Sequence, residues 1–321
     1  MNRFKNILYV TEASVAQDAA MARAVALARN NQADLTVIDV IPAIPLGMGM
    51  PPGALMRIDF QAAMAAEHRK LLESLVAPYR QQLSIEVEVL AGRRFLEVIR
   101  AVLRNGHDLV LKPAEDPSWV NRLFGSDDMH LLRKCPCPVW LTKPAEKSNY
   151  ECIVAALGFD PTDADSVEQE LNREILELST SLALSDFAAL HLAHAWDAPE
   201  VGFVRLWVDD PDVTEASIIA GEQLRHKSAM ALLNQSLRER LGEQSYAYLS
   251  PRIHLPQGAA HVAIPALVNE LQADLVVMGT VARSGVAGMI IGNTAEAILD
   301  QLKCSVLAIK PPGFVSPVTS D

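Results

Sequence analysis

Cys137-Pro138-Val139-Trp140-Leu141-Thr142-Lys143-Pro144 is written a second time, with changes, as Cys304-Ser305-Val306-Leu307-Ala308-Ile309-Lys310-Pro311. Upstream of each copy stands another matched pair, His107-Asp108-Leu109-Val110-Leu111-Lys112 and Ala273-Asp274-Leu275-Val276-Val277-Met278. The aspartates lie 166 residues apart, the cysteines 167, and Gly92 and Gly258 again 166. Punctuation that recurs at a near-constant offset is the mark of an internal duplication. The repeated runs are short, apolar on consecutive positions and rich in Val, Ile and Leu, as strands buried on both faces are.

Working outward, the first half reads as strands at Asn6–Thr11, Asp34–Ile41, Ile85–Ala91, Asp108–Lys112 and Val139–Thr142. Between them fall helical stretches at Ala13–Asn30, Asp59–Gln82 (interrupted near Pro78), Arg94–Asn105 and Asp127–Lys134. Pro42 to Gly53 is dense in proline and glycine and reads as a loop. In the second half strands are expected at Cys152–Leu157, Phe187–Ala195, Tyr246–Leu255, Leu275–Met278 and Val306–Ile309, and helices near Asp165–Leu184, Thr214–Leu241, His261–Gln272 and Asn293–Gln301. Strictly alternating strands and helices give a parallel sheet covered on both faces. The expected fold is α/β: two tandem doubly wound, Rossmann-like domains, each with a five-stranded parallel sheet. The boundaries are 1–147, 148–311 and a flexible tail over 312–321. In such sheets ligands bind outside the carboxyl ends of the strands.

A chain of 321 residues exceeds the size at which single cores stop growing, which also favours two domains. A net charge of −11 with dispersed Lys and Arg argues against a nucleic-acid surface. No apolar run reaches the ~20 residues of a membrane span, Met1-Asn2-Arg3-Phe4-Lys5 leads straight into a strand, and four cysteines form no C-x-x-C pair. The expectation is a cytoplasmic protein with free thiols.

The two halves differ after their fourth strand. The second continues Gly279-Thr280-Val281-Ala282-Arg283-Ser284-Gly285 and, further on, Gly292-Asn293-Thr294-Ala295-Glu296. Glycine at a strand end allows close approach of a ligand and positive φ, and a helix opening at Gly292 offers free amides to phosphate oxygens. A helix with Asn293 as N-cap and Glu296 three residues later is capping-box chemistry that needs no ligand. The glycines alone leave these two readings open.

Val277-Met278-Gly279-Thr280, Gly292-Asn293-Thr294-Ala295-Glu296, His130-Leu131-Leu132-Arg133-Lys134-Cys135-Pro136 and Lys5-Asn6-Ile7-Leu8-Tyr9-Val10 together resemble the universal stress protein family, specifically its tandem E-type members. The resemblance covers essentially the whole chain. ATP-binding members of that family carry Gly, two residues, Gly, nine residues, Gly, then Ser or Thr. Gly279 and Gly292 match the first and third glycines, Ala282 stands at the second, and Asn293 followed by Thr294 at the hydroxyl position. The acidic position that meets the ribose falls on Gly158, with Asp160 two residues on. The resemblance thus implies a site for ATP, with Mg, built from Met278, Gly279, Val281, Ala282, Gly292, Asn293, Thr294 and Ala295. In the first half Glu12 fills the acidic position and Gly125-Ser126 the third-glycine position, but Lys112, Pro113 and Glu115 replace the strand-four glycines. A loop with two prolines, Glu115 and Asp116 neither wraps nor attracts a triphosphate, so nucleotide binding is expected in the second half only. The resemblance further implies an intramolecular pseudo-dimer about the last strands, a possible homodimer, and a role in stress tolerance without DNA contact.

Other chemistry is sparse. His191 and His194 lie three apart on an expected strand and do not converge, and His254 and His261 flank Gly258 at a turn. Cys135-Pro136-Cys137 lacks redox spacing, so packing is expected of Cys137. Trp196 and Trp207 bracket a loop and either close a pocket or cover a strand edge. No Walker lysine, nucleophile elbow or H-E-x-x-H motif is present. Arg283 is the one charged group within the glycine loop, which favours a binding and sensing module over catalysis. A slow ATPase or nucleotidyl-transfer enzyme on the same fold, or a ligand-free scaffold, are the alternatives.

Overall fold

The computed structural model describes residues 3–44, 54–115, 127–143, 147, 149–162, 166–198, 211–280 and 292–320. The chain divides into two compact units, the first built on Met1–Ser148 with Phe314–Asp321, the second on Asn149–Ser284 with Ile291–Gly313.

In the first unit β1 (Asn6–Val10), β2 (Asp34–Ile41), β3 (Ile85–Ala91), β4 (Leu109–Pro113) and β5 (Val139–Thr142) alternate with α1 (Asp18–Asn31), α2 (Ala54–Val76), α3 (Arg94–Asn105) and α4 (Asp127–Lys134). The strands lie in the order β3-β2-β1-β4-β5, every pair parallel. Seven of eight β2 residues and all of β4 are buried, as strands covered on both faces must be. Pro78 does end a helix: α2 stops at Val76 and a single 3₁₀ turn, Ala77–Tyr79, follows.

The second unit repeats this with β6 (Cys152–Ala156), β7 (Ala189–Ala193), β8 (Arg252–His254), β9 (Leu275–Gly279) and β10 (Ser305–Ile309) in the order β8-β7-β6-β9-β10, again all parallel. Its helices are α5 (Ser166–Asp186), α6 (Pro211–Leu241), α7 (Glu243–Leu249), α8 (Ala260–Glu270) and α9 (Asn293–Leu299). One expectation fails here. Tyr246–Leu255 is not one strand: Glu243–Leu249 is helical, Ser250 stops it at φ 42, and only Arg252–His254 pairs with β7. The Tyr-Ala-Tyr-Leu run has strand propensity, but helical hydrogen bonding starting at Gly242 overrides it.

The repeated punctuation has a structural cause at each place. Asp108 accepts hydrogen bonds from the amides of Lys5 (2.6 Å) and Asn6 (3.1 Å) through its carboxylate. Asp274 accepts those of Glu151 (2.8 Å) and Cys152 (3.1 Å) in the same way. Each aspartate therefore clamps the start of strand four to the start of strand one. Gly92, accepted by Ile41 O, and Gly258 (φ +125), accepted by Trp196 O, both turn the chain off strand three at the end of strand two. Because Asp274 is 2% exposed and holds two amides with a charged acceptor, Asp274→Ala is expected to cost about 2–4 kcal/mol, the worth of charge-assisted bonds and two orphaned donors. Urea unfolding checks this; a loss below ~0.5 kcal/mol refutes the clamp.

Candidate functional site

The carboxyl ends of the two sheets are built from equivalent positions with opposite chemistry. In the first unit Lys112, one residue from the end of β4, is fully buried. Its Nζ donates to Glu12 Oε2 (3.1 Å), Asp128 Oδ1 (2.8 Å) and Pro113 O (3.0 Å). Arg94, opening α3, donates to the same Glu12 oxygen, Oε2, and Ser14 Oγ donates to Glu12 Oε1 at 2.8 Å. Burial alone would raise the Glu12 carboxyl; the Lys112 and Arg94 cations outweigh it and hold the group below the usual range. Burial would likewise lower Lys112, but Asp128 and Glu12 keep its ammonium charged well above neutrality.

Glu12 thus spends both oxygens inside the protein, and the lysine head occupies the space where strand four and α4 converge. The first half is closed by its own side chains. Sequence reasoning drew the loss of nucleotide binding from the loop that starts at Pro113; the structure adds Lys112, joined to residues 100 and 16 positions away, and Asp116 lies outside the described residues. Gly125 and Ser126 lie outside the described residues.

In the second unit the strands and the helix before the last strand align so that Gly158, Met278 and Ala295 stand where Glu12, Lys112 and Asp128 stand in the first. All three are uncharged. Gly158 is held by Asn172 of α5, whose Nδ2 donates to Gly158 O (2.7 Å) and whose Oδ1 accepts Gly158 N–H (3.2 Å). Asp160 does not substitute for the missing acid at that position, because its Oδ1 accepts both the amide (2.8 Å) and the hydroxyl (2.7 Å) of Thr162 in a local turn.

Two expectations about the glycines are corrected. Gly279 is a strand residue outside the positive-φ region, and a Cβ there would lie 2.7 Å from Leu171 Cδ2, so the leucine would shift to admit one. The capping box is absent: Gly292 is the N-cap (φ −61, ψ 135) with no side-chain cap bond, and Asn293 begins the helix. Gly292 N–H is bound to Thr280 O (3.0 Å), while its own carbonyl accepts Glu296 N–H. With no side chain capping it, the first turn of α9 leaves its N–H groups without intrahelical acceptors. Asn293 and Thr294 are exposed, Met278 and Ala295 buried. Val281, Ala282 and Arg283 lie outside the described residues. A cation the glycine pattern did not disclose stands just past the end of β9: buried Lys310 donates to Thr280 Oγ1 at 2.7 Å.

Beside Gly158 a cavity of about 870 Å³ opens between α5 and α6. Phe159, Leu176, Leu233 and Leu237 line its apolar part, with Arg173 and Arg240 at the rim paired to Glu170 and Glu177. This volume is within the range of small-molecule sites.

The histidines form two separate pairs. His191 Nδ1 lies 2.8 Å from His254 Nε2, and His194 Nε2 lies 2.9 Å from His226 Nδ1, with Phe159 stacked on His194 at 3.6 Å. Burial first, then the facing His254, pushes His191 down to about 4. His191 and His194 do not converge, His254 turns to His191, and among the described residues no group of three His, Cys, Asp or Glu could hold a metal. Cys137 and Cys135 are buried with sulfurs 3.6 Å apart, and that contact, with burial second, pushes the Cys137 thiol up, as for an inert core thiol. Trp196 is buried and donates to Leu255 O (3.1 Å), covering the end of β8; Trp207 lies outside the described residues.

Two five-stranded parallel doubly wound units, one with an uncharged strand end, define a tandem doubly wound α/β class. The family model described as "Universal stress protein family" matches residues 3–143 and again 161–310. The chain belongs to the universal stress protein family, as a tandem member of the E type. It is 32% identical over 242 residues to Universal stress protein E of Escherichia coli (strain K12), spanning 74% of this chain and 72% of that protein. It is 28% identical over 327 residues to the Photorhabdus laumondii protein of the same name, spanning 99% and 98%. A crystal structure of a universal stress protein from Pseudomonas aeruginosa UCBPP-PA14 superposes with TM-score 0.70 at 24% identity, covering 97% of this chain and 94% of that one, and shares the fold. No helix among the described residues is long and apolar enough to cross a membrane.

Proposed function

We propose that the protein is a cytoplasmic stress-response module, non-catalytic, whose second unit binds a small ligand of the ATP type. The observation that carries this reading is the contrast at three equivalent positions: Glu12, Lys112 and Asp128 fill the first site with ions, and Gly158, Met278 and Ala295 leave the second uncharged. Phosphate oxygens would be held by the first-turn amides of α9 and the Asn293 and Thr294 side chains, with buried Lys310 supplying positive potential from just past the end of β9. Magnesium would be carried on the phosphates, since Asp160, the acid that follows β6, is engaged by Thr162. That engagement, with Arg283 the one charged residue in the sequence of the glycine loop, argues for sensing over hydrolysis.

The test is calorimetric titration of the full chain with Mg-ATP, alongside mass spectrometry of small molecules released on denaturation. Ala282 stands where ATP-binding relatives carry glycine, and a Cβ there costs ~1–3 kcal/mol if the loop follows the family's path. Wild type is expected to bind weakly and Ala282→Gly to tighten binding roughly 10- to 100-fold. Tight wild-type binding unaffected by the glycine would show another loop course.

A further inference from the structure

We propose that the first unit carries a proton-responsive ion cluster at the carboxyl end of its sheet, in which the Glu115 carboxyl is the group that gains and loses the proton. The argument begins with donors. An ammonium has three N–H groups, and those of Lys112 go to Glu12, Asp128 and Pro113 O. Glu115 Oε1 stands 3.7 Å from Lys112 Nζ, too far for a further hydrogen bond. Arg94 donates to Glu12. Two cations therefore match Glu12 and Asp128, and Glu115 is a third carboxylate, 22% exposed, that the cluster does not neutralise.

The charged groups facing Glu115 are Lys112 on β4, Glu12 after β1, Arg94 on α3, and Asp127 and Asp128 on α4. Burial first, then Asp128, pushes its carboxyl up to about 7. The backbone gives the proton a consequence. Glu115 N–H donates to Asp128 Oδ2 at 2.9 Å, joining the end of β4 to the first turn of α4. Ionised, the Glu115 side chain repels the carboxylate that holds its own amide; protonated, it does not. The folded-state value lies above the unfolded one. The stabilisation is therefore complete below the ordinary glutamate range and is lost as pH rises through about 7. Acidification tightens this join and alkalinisation loosens it.

The test is carbon-13 NMR of the full chain labelled at glutamate side-chain carboxyls, comparing wild type with Glu115→Gln and Arg94→Gln. One resonance, absent from Glu115→Gln, is expected to titrate near pH 7, far from the remaining glutamates. Arg94→Gln removes one of the two cations and is expected to move that midpoint up by roughly one pH unit. A resonance lost in Glu115→Gln whose wild-type midpoint lies below pH 5.5 would overturn the proposal. So would a midpoint indifferent to Arg94→Gln, since the charge balance of the cluster would then not govern the proton.

Discussion

Lys112→Met is expected to destabilise the first unit by about 3–5 kcal/mol, because it leaves Glu12 and Asp128 charged, close together and out of water. Methionine fills most of the volume, so the loss is electrostatic rather than a cavity effect. A sharper result follows from the same logic. Adding Glu12→Gln and Asp128→Asn to Lys112→Met removes the stranded charges and is expected to recover most of the loss, since a buried ion pair contributes little beyond what its uncharged replacement does. Hydrogen exchange of peptides spanning β1 and β4 in urea reads both effects on this unit. If the triple variant is no more stable than the single one, Lys112 acts through packing and the closure of this site is steric.

Gly292→Asp is expected to move stability and binding in opposite directions. The backbone at 292 has ordinary extended angles, so aspartate adds no backbone strain. As an N-cap it is among the favoured residues, and an uncapped start is expected to gain up to ~1 kcal/mol. For a phosphate at the same place, the new carboxylate is a like charge at about 4 Å, ~4 kcal/mol at an effective dielectric near 20, or a loss of several hundredfold or more in affinity. Thermal unfolding with Mg-ATP calorimetry separates the two. Nucleotide affinity that survives in a stabilised variant would place the ligand elsewhere in the second unit, the cavity between α5 and α6 being the next place to look.

What the sequence disclosed depended on range. The strands were legible because sheets covered on both faces demand continuous Val/Ile/Leu runs, and the two halves announced each other through Asp108 and Asp274, Gly92 and Gly258, residues under the same local demand twice. The α7 turn was not legible: Tyr246 to Leu249 has strand-like composition, and only the turns at Gly242 and Ser250 decide otherwise. The glycine pattern was legible as a pattern, though the structure sets Leu171 against Gly279, a contact that no spacing could reveal. Lys112 read as a departure from the motif; its role needed Glu12 and Asp128, brought to it only by folding. Asn172 was missed for the same reason, since a helix amide fastening the Gly158 backbone leaves no local signature.

The aspartate clamps also impose an order on synthesis. Asn6 and Asp108 are 102 residues apart, and β1 is the central strand of its sheet, so its second edge stays unpaired until β4 has been made. At 5–20 residues per second that wait is about 5–20 s, long compared with the collapse of a short chain. During a second, similar interval β6 is exposed while a finished Asp108 clamp already exists upstream. Because Asp108 has by then been spent on Lys5 and Asn6, the second repeat meets a partner that is no longer available. Vectorial emergence from the ribosome thereby protects a duplicated chain from exchanging strands between its halves. A refolding experiment from denaturant, where both halves start together, is where such exchange would surface.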